Sequence, residues 1–149
     1  MSGFSGDFSG LDGVLLQLQR LGQDARTRLA AVVEDQAIAL VGYIQADKLS
    51  GQVLNVRSGV LRNSVHHAMD ASGDRVVATV GTDVVYAAIH EYGGTIVPKT
   101  AQALRFVIDG KTIHAKSVTM PERSYLRSAL SDRAQAIRDA LAAAVAATA

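Results

Sequence analysis

The chain has 149 residues, 48% of them hydrophobic and 19% charged, with 15 Lys+Arg against 14 Asp+Glu and neither Cys nor Trp. At this length a single domain buries about 68–70% of the surface its unfolded chain exposes, so a core forms without a metal or disulfide staple. The missing cysteines exclude disulfides, Fe–S clusters, thiolate zinc sites and Cys nucleophiles, and a net charge of +1 argues against a surface held to nucleic acid chiefly by bulk electrostatics. The apolarity is of an unusual kind: aromatics make up 5%, while 24 Ala and 17 Val dominate. Small side chains let helices pack closely but yield less per residue, because burial contributes about 25 cal/mol per Å². Such a fold is a candidate for leaning on neighbouring chains.

Residues 1–10, MSGFSGDFSG, set Phe4 and Phe8 in a Ser/Gly segment with no periodic partner. The segment reads as a flexible N-terminal arm, and Phe4 and Phe8 become candidate interface residues if it docks on another subunit. It lacks the charged and apolar regions of a signal peptide, and no run of about 18 apolar residues occurs, so a soluble protein made in the cytoplasm is expected. From Leu11 to about Lys48 apolar residues recur every three or four positions, among them Leu18, Leu29, Val33, Leu40 and Ile44, and Leu49-Ser50-Gly51 supplies the stop. A continuous helix of about 38 residues would run about 57 Å, longer than a compact domain of this size is wide. Two readings stay open. Gly22 breaks the helix into a short piece and a core helix, Gly costing about 1 kcal/mol relative to Ala there, or the helix projects and packs on other chains.

Ser58 to Asn63 predicts one helical turn capped by Ser58. The β-rich runs Ser64–Asp70 and Asp74–Gly81, joined by Ala71-Ser72-Gly73, predict a hairpin. Asp83 caps a short helix over 84–92 with Ala88, Ile89 and Tyr92 on one face and a stop at Gly93-Gly94. Strands follow at 95–98, 103–108 and 112–118, the last two joined by Asp109-Gly110, a strong type I′ turn signal. Pro121, in the first turn, opens a final helix to about Ala147. Consecutive, turn-linked strands without crossover helices predict an α+β fold. Residues 11–149 form one domain: a long N-terminal helix, an antiparallel sheet of about four to five strands with a short helix between hairpins, and a C-terminal helix.

The histidines carry little chemistry. His90-Glu91-Tyr92-Gly93-Gly94 begins like the zinc-protease helix H-E-x-x-H, but Gly94 stands where the second ligand must be. His66 and His67 are adjacent in a strand, point to opposite faces and cannot chelate one ion. There is no G-x-S-x-G elbow and no phosphate-cradling glycine loop. Arg57, Arg62, Arg75, Lys99, Arg105, Lys111 and Lys116 concentrate in the strand region, where they could line a passage for DNA without reading it, since no aromatics interleave with them. No metal, cofactor or catalytic residue is expected.

Three blocks of sequence resemble the neck or tail-completion proteins of long-tailed double-stranded DNA phages, a family that includes minor tail and virion morphogenesis proteins. The first is Arg57 to Ser64, with Gly59, Leu61 and Ser64 matching an "x-G-x-L-r-x-S" entry into the hairpin. The second is Val80 to Ile96, similar to "v-G-t-n-v-x-Y-A-x-x-h-E-f-G-G" through Gly81, Tyr86, Ala87, His90, Glu91, Tyr92, Gly93 and Gly94. The third, Val118 to Leu126, keeps Pro121, Arg123 and Leu126 of "v-x-i-P-a-R-p-F-L", while Glu122, Ser124 and Tyr125 replace the usual Ala, Pro and Phe.

The resemblance implies a non-enzymatic virion protein acting at the head–tail junction or tail top, made in the host cytoplasm. It would form a homo-oligomeric ring of six or twelve copies around the DNA channel, beside other neck, head-closure and tail-tube proteins, with DNA passing non-specifically. The alternatives are a tail terminator capping the tube and, from another class, a small His/Glu metal-dependent hydrolase built on His90-Glu91. The first helix, the Phe4/Phe8 arm and the loops at 50–57 and 95–102 are the candidate joining surfaces. Arg123 sits oddly at a helix start, which favours acids, and Glu91 is its expected partner.

Overall fold

The computed structural model describes residues 22–53, 59–73 and 75–147. Phe4, Phe8 and the first part of the apolar stripe, through Leu21, lie outside the described residues, as does Ser58. Within them the order is α1 (Gln23–Tyr43), a π-helical turn (Ile44–Lys48), α2 (Val60–Ser64), β1 (His66–Asp70), β2 (Val77–Gly81), α3 (Ala87–Tyr92), β3 (Gly94–Ile96), β4 (Leu104–Ile108), β5 (Lys111–Ala115), β6 (Val118–Met120) and α4 (Leu126–Ala146). The α+β class is as the sequence implies.

The question left open at Gly22 is answered by its backbone. With φ −66° and ψ 167° it is extended, so the helix begins at Gln23 and does not run through the glycine. Leu29, Ala37 and Leu40 then turn inward at the spacing of an α-helix. A strict α-helix would put Leu49 about 140° away from Ile44. The π-helical turn corrects this: the Leu49 N–H donates to the Ile44 carbonyl at 2.9 Å, and both side chains are buried. Ser50 Oγ and Gln52 Nε2 donate to the Gln45 and Ala46 carbonyls, satisfying the last turn, and the helix stops at the expected Leu49-Ser50-Gly51. By length and composition Gln23–Lys48 would suffice to cross a bilayer; in this fold its buried residues face protein.

The sheet differs from expectation. In place of one sheet of four to five strands there are three antiparallel two-stranded ladders, β1–β2, β3–β6 and β4–β5. The Asp109-Gly110 turn closes β4–β5 as predicted, with φ 49° and 76° at the two positions that type I′ geometry requires to be left-handed. Having closed on itself, this hairpin is an excursion between β3 and β6, which pair with each other from Gly94↔Met120 to Ile96↔Val118. The predicted 112–118 strand is accordingly interrupted at Lys116-Ser117.

Helix α4 also departs from expectation. Pro121 to Ser124 are not helical, and the helix starts at Leu126, five residues later than the proline suggests. It packs along α1. Asp132 ties the pair, accepting from Lys48 Nζ at 2.6 Å and from the Tyr43 hydroxyl at 3.0 Å. The core gathers Leu40, Ile44, Leu49, Val65, Tyr125 and Ala129, with Leu61, Val80, Leu126 and Leu130 packed against it.

Tyr125 is fully buried, yet its hydroxyl has no hydrogen-bond partner among the described residues, an arrangement that costs about 1–3 kcal/mol. Burial and the nearby Glu91 charge hold the phenol strongly in its neutral form. Tyr125→Phe, which restores the residue usual in the resembling family, is expected to raise stability by about 1 kcal/mol in urea denaturation, with no change in slope.

Candidate functional site

The second and third sequence blocks converge on one carboxylate. The N-cap residue of α4, Tyr125, offers no side-chain cap and the first turn holds no acidic residue; locally only Ser124 Oγ helps, accepting from the Ser128 N–H at 3.3 Å, which leaves the earlier N–H groups and the positive end of the dipole to be answered from elsewhere. Glu91, on α3 some 35 residues earlier, supplies both. Its Oε2 accepts from the backbone N–H of Tyr125 at 2.8 Å and of Leu126 at 2.9 Å. Its Oε1 accepts from the Arg127 N–H at 3.0 Å, the Ser124 hydroxyl at 2.7 Å and Arg127 Nε at 3.0 Å.

Helix α3 is positioned for this by the residues on either side. Ala87 and Glu91, one turn apart, are its buried positions, whereas the face expected from Ala88, Ile89 and Tyr92 is largely open and Tyr92 is exposed. Asp83 does not cap the helix; instead Thr82 Oγ1 accepts from the Val84 N–H, and the helix starts at Ala87. Gly93 ends it in a conformation, φ 68° and ψ −171°, that is essentially reserved for glycine. An added Cβ there would lie 2.6 Å from the Glu122 nitrogen and 2.8 Å from the Met120 carbonyl. Gly94 then starts β3 opposite Met120. The Arg123 N–H donates to the His90 carbonyl at 2.9 Å, closing the seam between the two blocks.

The partner of Glu91 is Arg127, not Arg123. Arg127 pairs with Glu91 at 3.0 Å and Glu122 at 2.6 Å, donates to the Glu91 carbonyl, and lies 4.6 Å from the centre of the Tyr92 ring. The choice follows from where α4 starts: a helix opening at Pro121 would carry Arg123 in its first turn, but one opening at Leu126 carries Arg127. Ser124 and Arg127 were therefore missed by local reasoning, and the spacing of the two arginines by one helical turn was the available hint.

The other motif residues serve the same frame. Gly59, at φ 72°, precedes α2, where its carbonyl accepts from Asn63. Leu61 packs on the core, and Ser64 Oγ meets Thr82 Oγ1 at 2.5 Å, joining the first block to the second. Gly81 ends β2 opposite His66. Tyr86 sets its ring edge against His90, at 5.9 Å between centroids. Pro121 and Arg123 are exposed, and Leu126 opens α4.

Burial by itself would raise the Glu91 pKa, but the hydrogen bonds from Leu126, Arg127, Ser124 and Tyr125 outweigh it and hold the carboxyl below its usual range. With five donors on two oxygens, the carboxylate has no lone pair left to serve as a general base. His90 is held below its ordinary pKa by burial and by the Arg123 charge, both of which disfavour its charged form. Among the described residues no three His, Asp or Glu side chains converge as metal ligands. The arrangement orders the backbone at the head of α4.

Replacing Glu91 by Ala should cost roughly 3–5 kcal/mol, because it strips a helix of its cap and leaves buried N–H groups unpaired. Since its folded pKa is depressed, the stability Glu91 contributes is complete above the ordinary glutamate pKa and is lost as pH falls through the folded value. Urea titrations from pH 7 down to pH 3 should show this acid loss in the native protein and a reduced loss in Glu91→Gln. Gly93→Ala should destabilise by roughly 2–5 kcal/mol, from backbone strain together with the steric clash, as read from the urea midpoint.

No curated protein and no solved structure matches the chain. Residues 42–146 do match the phage virion morphogenesis family, a span that starts near the end of α1 and takes in the Glu91 seam and α4. The chain belongs to that family.

Proposed function

We propose that this protein is a non-enzymatic neck or tail-completion component of a tailed double-stranded DNA phage. It forms a homo-oligomeric ring of six or twelve copies at the head–tail junction, through which DNA passes without being read. Membership of a virion morphogenesis family supports an assembly role. The observation that carries the finer reading is the balance of apolar surface: among the described residues more large hydrophobic side chains are exposed than buried, and Val85 is 98% exposed. A subunit covers such surface on assembly. Different patches on one chain favour head-to-tail contacts, which close into a ring.

Phage particles assembled without this protein should accumulate as DNA-filled heads and separate, normally sized tails, counted by electron microscopy. Fully joined, infectious particles would contradict the reading. Tails of uncontrolled length would move the protein to the tail terminator position.

A further inference from the structure

The β4–β5 hairpin has an uncovered apolar face. Cross-strand partners share a face of a ladder, so Leu104 with Ala115, Phe106 with Ile113, and Ile108 with Lys111 lie on one side, and Arg105 with His114 and Val107 with Thr112 on the other. The first side is apolar except for Lys111; Leu104, Phe106 and Ala115 on it are half-buried, while Ile108 is 44% and Ile113 38% exposed. The hairpin makes no extensive contact with any other described element. A lone two-stranded hairpin is marginal in water, so a face of this kind calls for a partner.

Charge selects that partner. Lys111 is the one charged residue on the apolar side, at its turn end, while Arg105 lies on the opposite side. Two hairpins laid face to face with their turns at the same end would bring Lys111 near its own copy, which is unfavourable. The outward side of α1 has the opposite character: Ile38, 51% exposed, stands about a turn from exposed Asp35 and Gly42 and two turns from exposed Ala31, with exposed Glu34 at its flank facing His67. From Ala31 to Ala46 that side runs about 22 Å, enough to seat strands of five residues, about 17 Å long.

We propose that the apolar face of the β4–β5 hairpin of one copy docks on the outer side of α1 of the next, Ile113 meeting Ile38 and Lys111 meeting Asp35. The contact rests on the ring reading above and gives it a specific joint. It is heterologous, so each copy offers a hairpin in one direction and a helix in the other, as a closed ring requires.

The native chain has no cysteine, so introduced pairs crosslink without background. Under mild oxidation, a mixture of Ile38→Cys and Ile113→Cys chains should give disulfide-linked dimers that neither variant gives alone, and the double variant should give a ladder ending at the ring size. In light scattering, Lys111→Glu should weaken association about tenfold, and Asp35→Lys in the same chain should restore it. Self-linking of Ile113→Cys alone would overturn the proposal in favour of hairpin on hairpin. Native oligomers that persist unchanged through Ile113→Glu would overturn the contact while leaving the ring intact. A native chain that stays monomeric at high concentration would overturn both.

Discussion

Helix α4 is capped by a residue that lies nowhere near it in the chain. Glu91 brings its carboxylate from α3 to the three N–H groups of Tyr125, Leu126 and Arg127, and a buried charge is tolerable there because five donors and the helix dipole answer it. Most of the surrounding architecture can be traced to that delivery. Gly93 turns the chain away from α3 where any side chain would strike the segment leading into α4. The β3–β6 ladder runs from this turn, and the Arg123 N–H stitches that segment to α3. Tyr125, the largest fully buried side chain, follows directly at the head of α4.

This frame joins the second and third sequence blocks. Glycine, glutamate and proline in such motifs invite an active-site reading, and His90-Glu91 does so most of all. The geometry answers it differently: one member is packed against Tyr86, and the other has its lone pairs occupied by backbone and side-chain donors. Hydrogen bonds and strand pairing join α3, β3, β6 and α4 in one junction, and the β4–β5 hairpin leaves it as an appendage. Dense hydrogen bonding and apolar exposure are thus separated in the fold, the first at the Glu91 seam and the second at the hairpin and the outer side of α1.

The Ala- and Val-rich composition takes on meaning here. Helices α1 and α4 pack on each other, with Ala129 buried beside Leu40, Ile44 and Tyr125, and Ala37 is buried on α1. The valines and isoleucines of the strand region are mostly left at the surface, Val97, Val107, Ile108 and Ile113 among them. A short-stranded ladder has no second layer to cover both of its faces, so its β-branched residues remain open to contact.

Local chemistry sufficed wherever the controlling residues were neighbours in the chain. Asp109-Gly110 closed its hairpin, Leu49-Ser50-Gly51 stopped its helix, and the β1–β2 hairpin and short α3 follow from alternation and glycine. The two readings of Gly22 were separated only by its extended backbone. Local chemistry failed where a distant group won. Pro121 is a good helix opener, yet α4 waits for Leu126 because that is where the Glu91 carboxylate meets the backbone, and the same shift exchanges Arg123 for Arg127. Four to five consecutive strands read as one sheet, yet the self-closing hairpin leaves β3 to find β6. The sequence by itself determined the class of the fold, its turns and its family. Only the tertiary structure decided the helix start, the ion pair and the strand partners, because each depends on a contact whose two halves lie tens of residues apart.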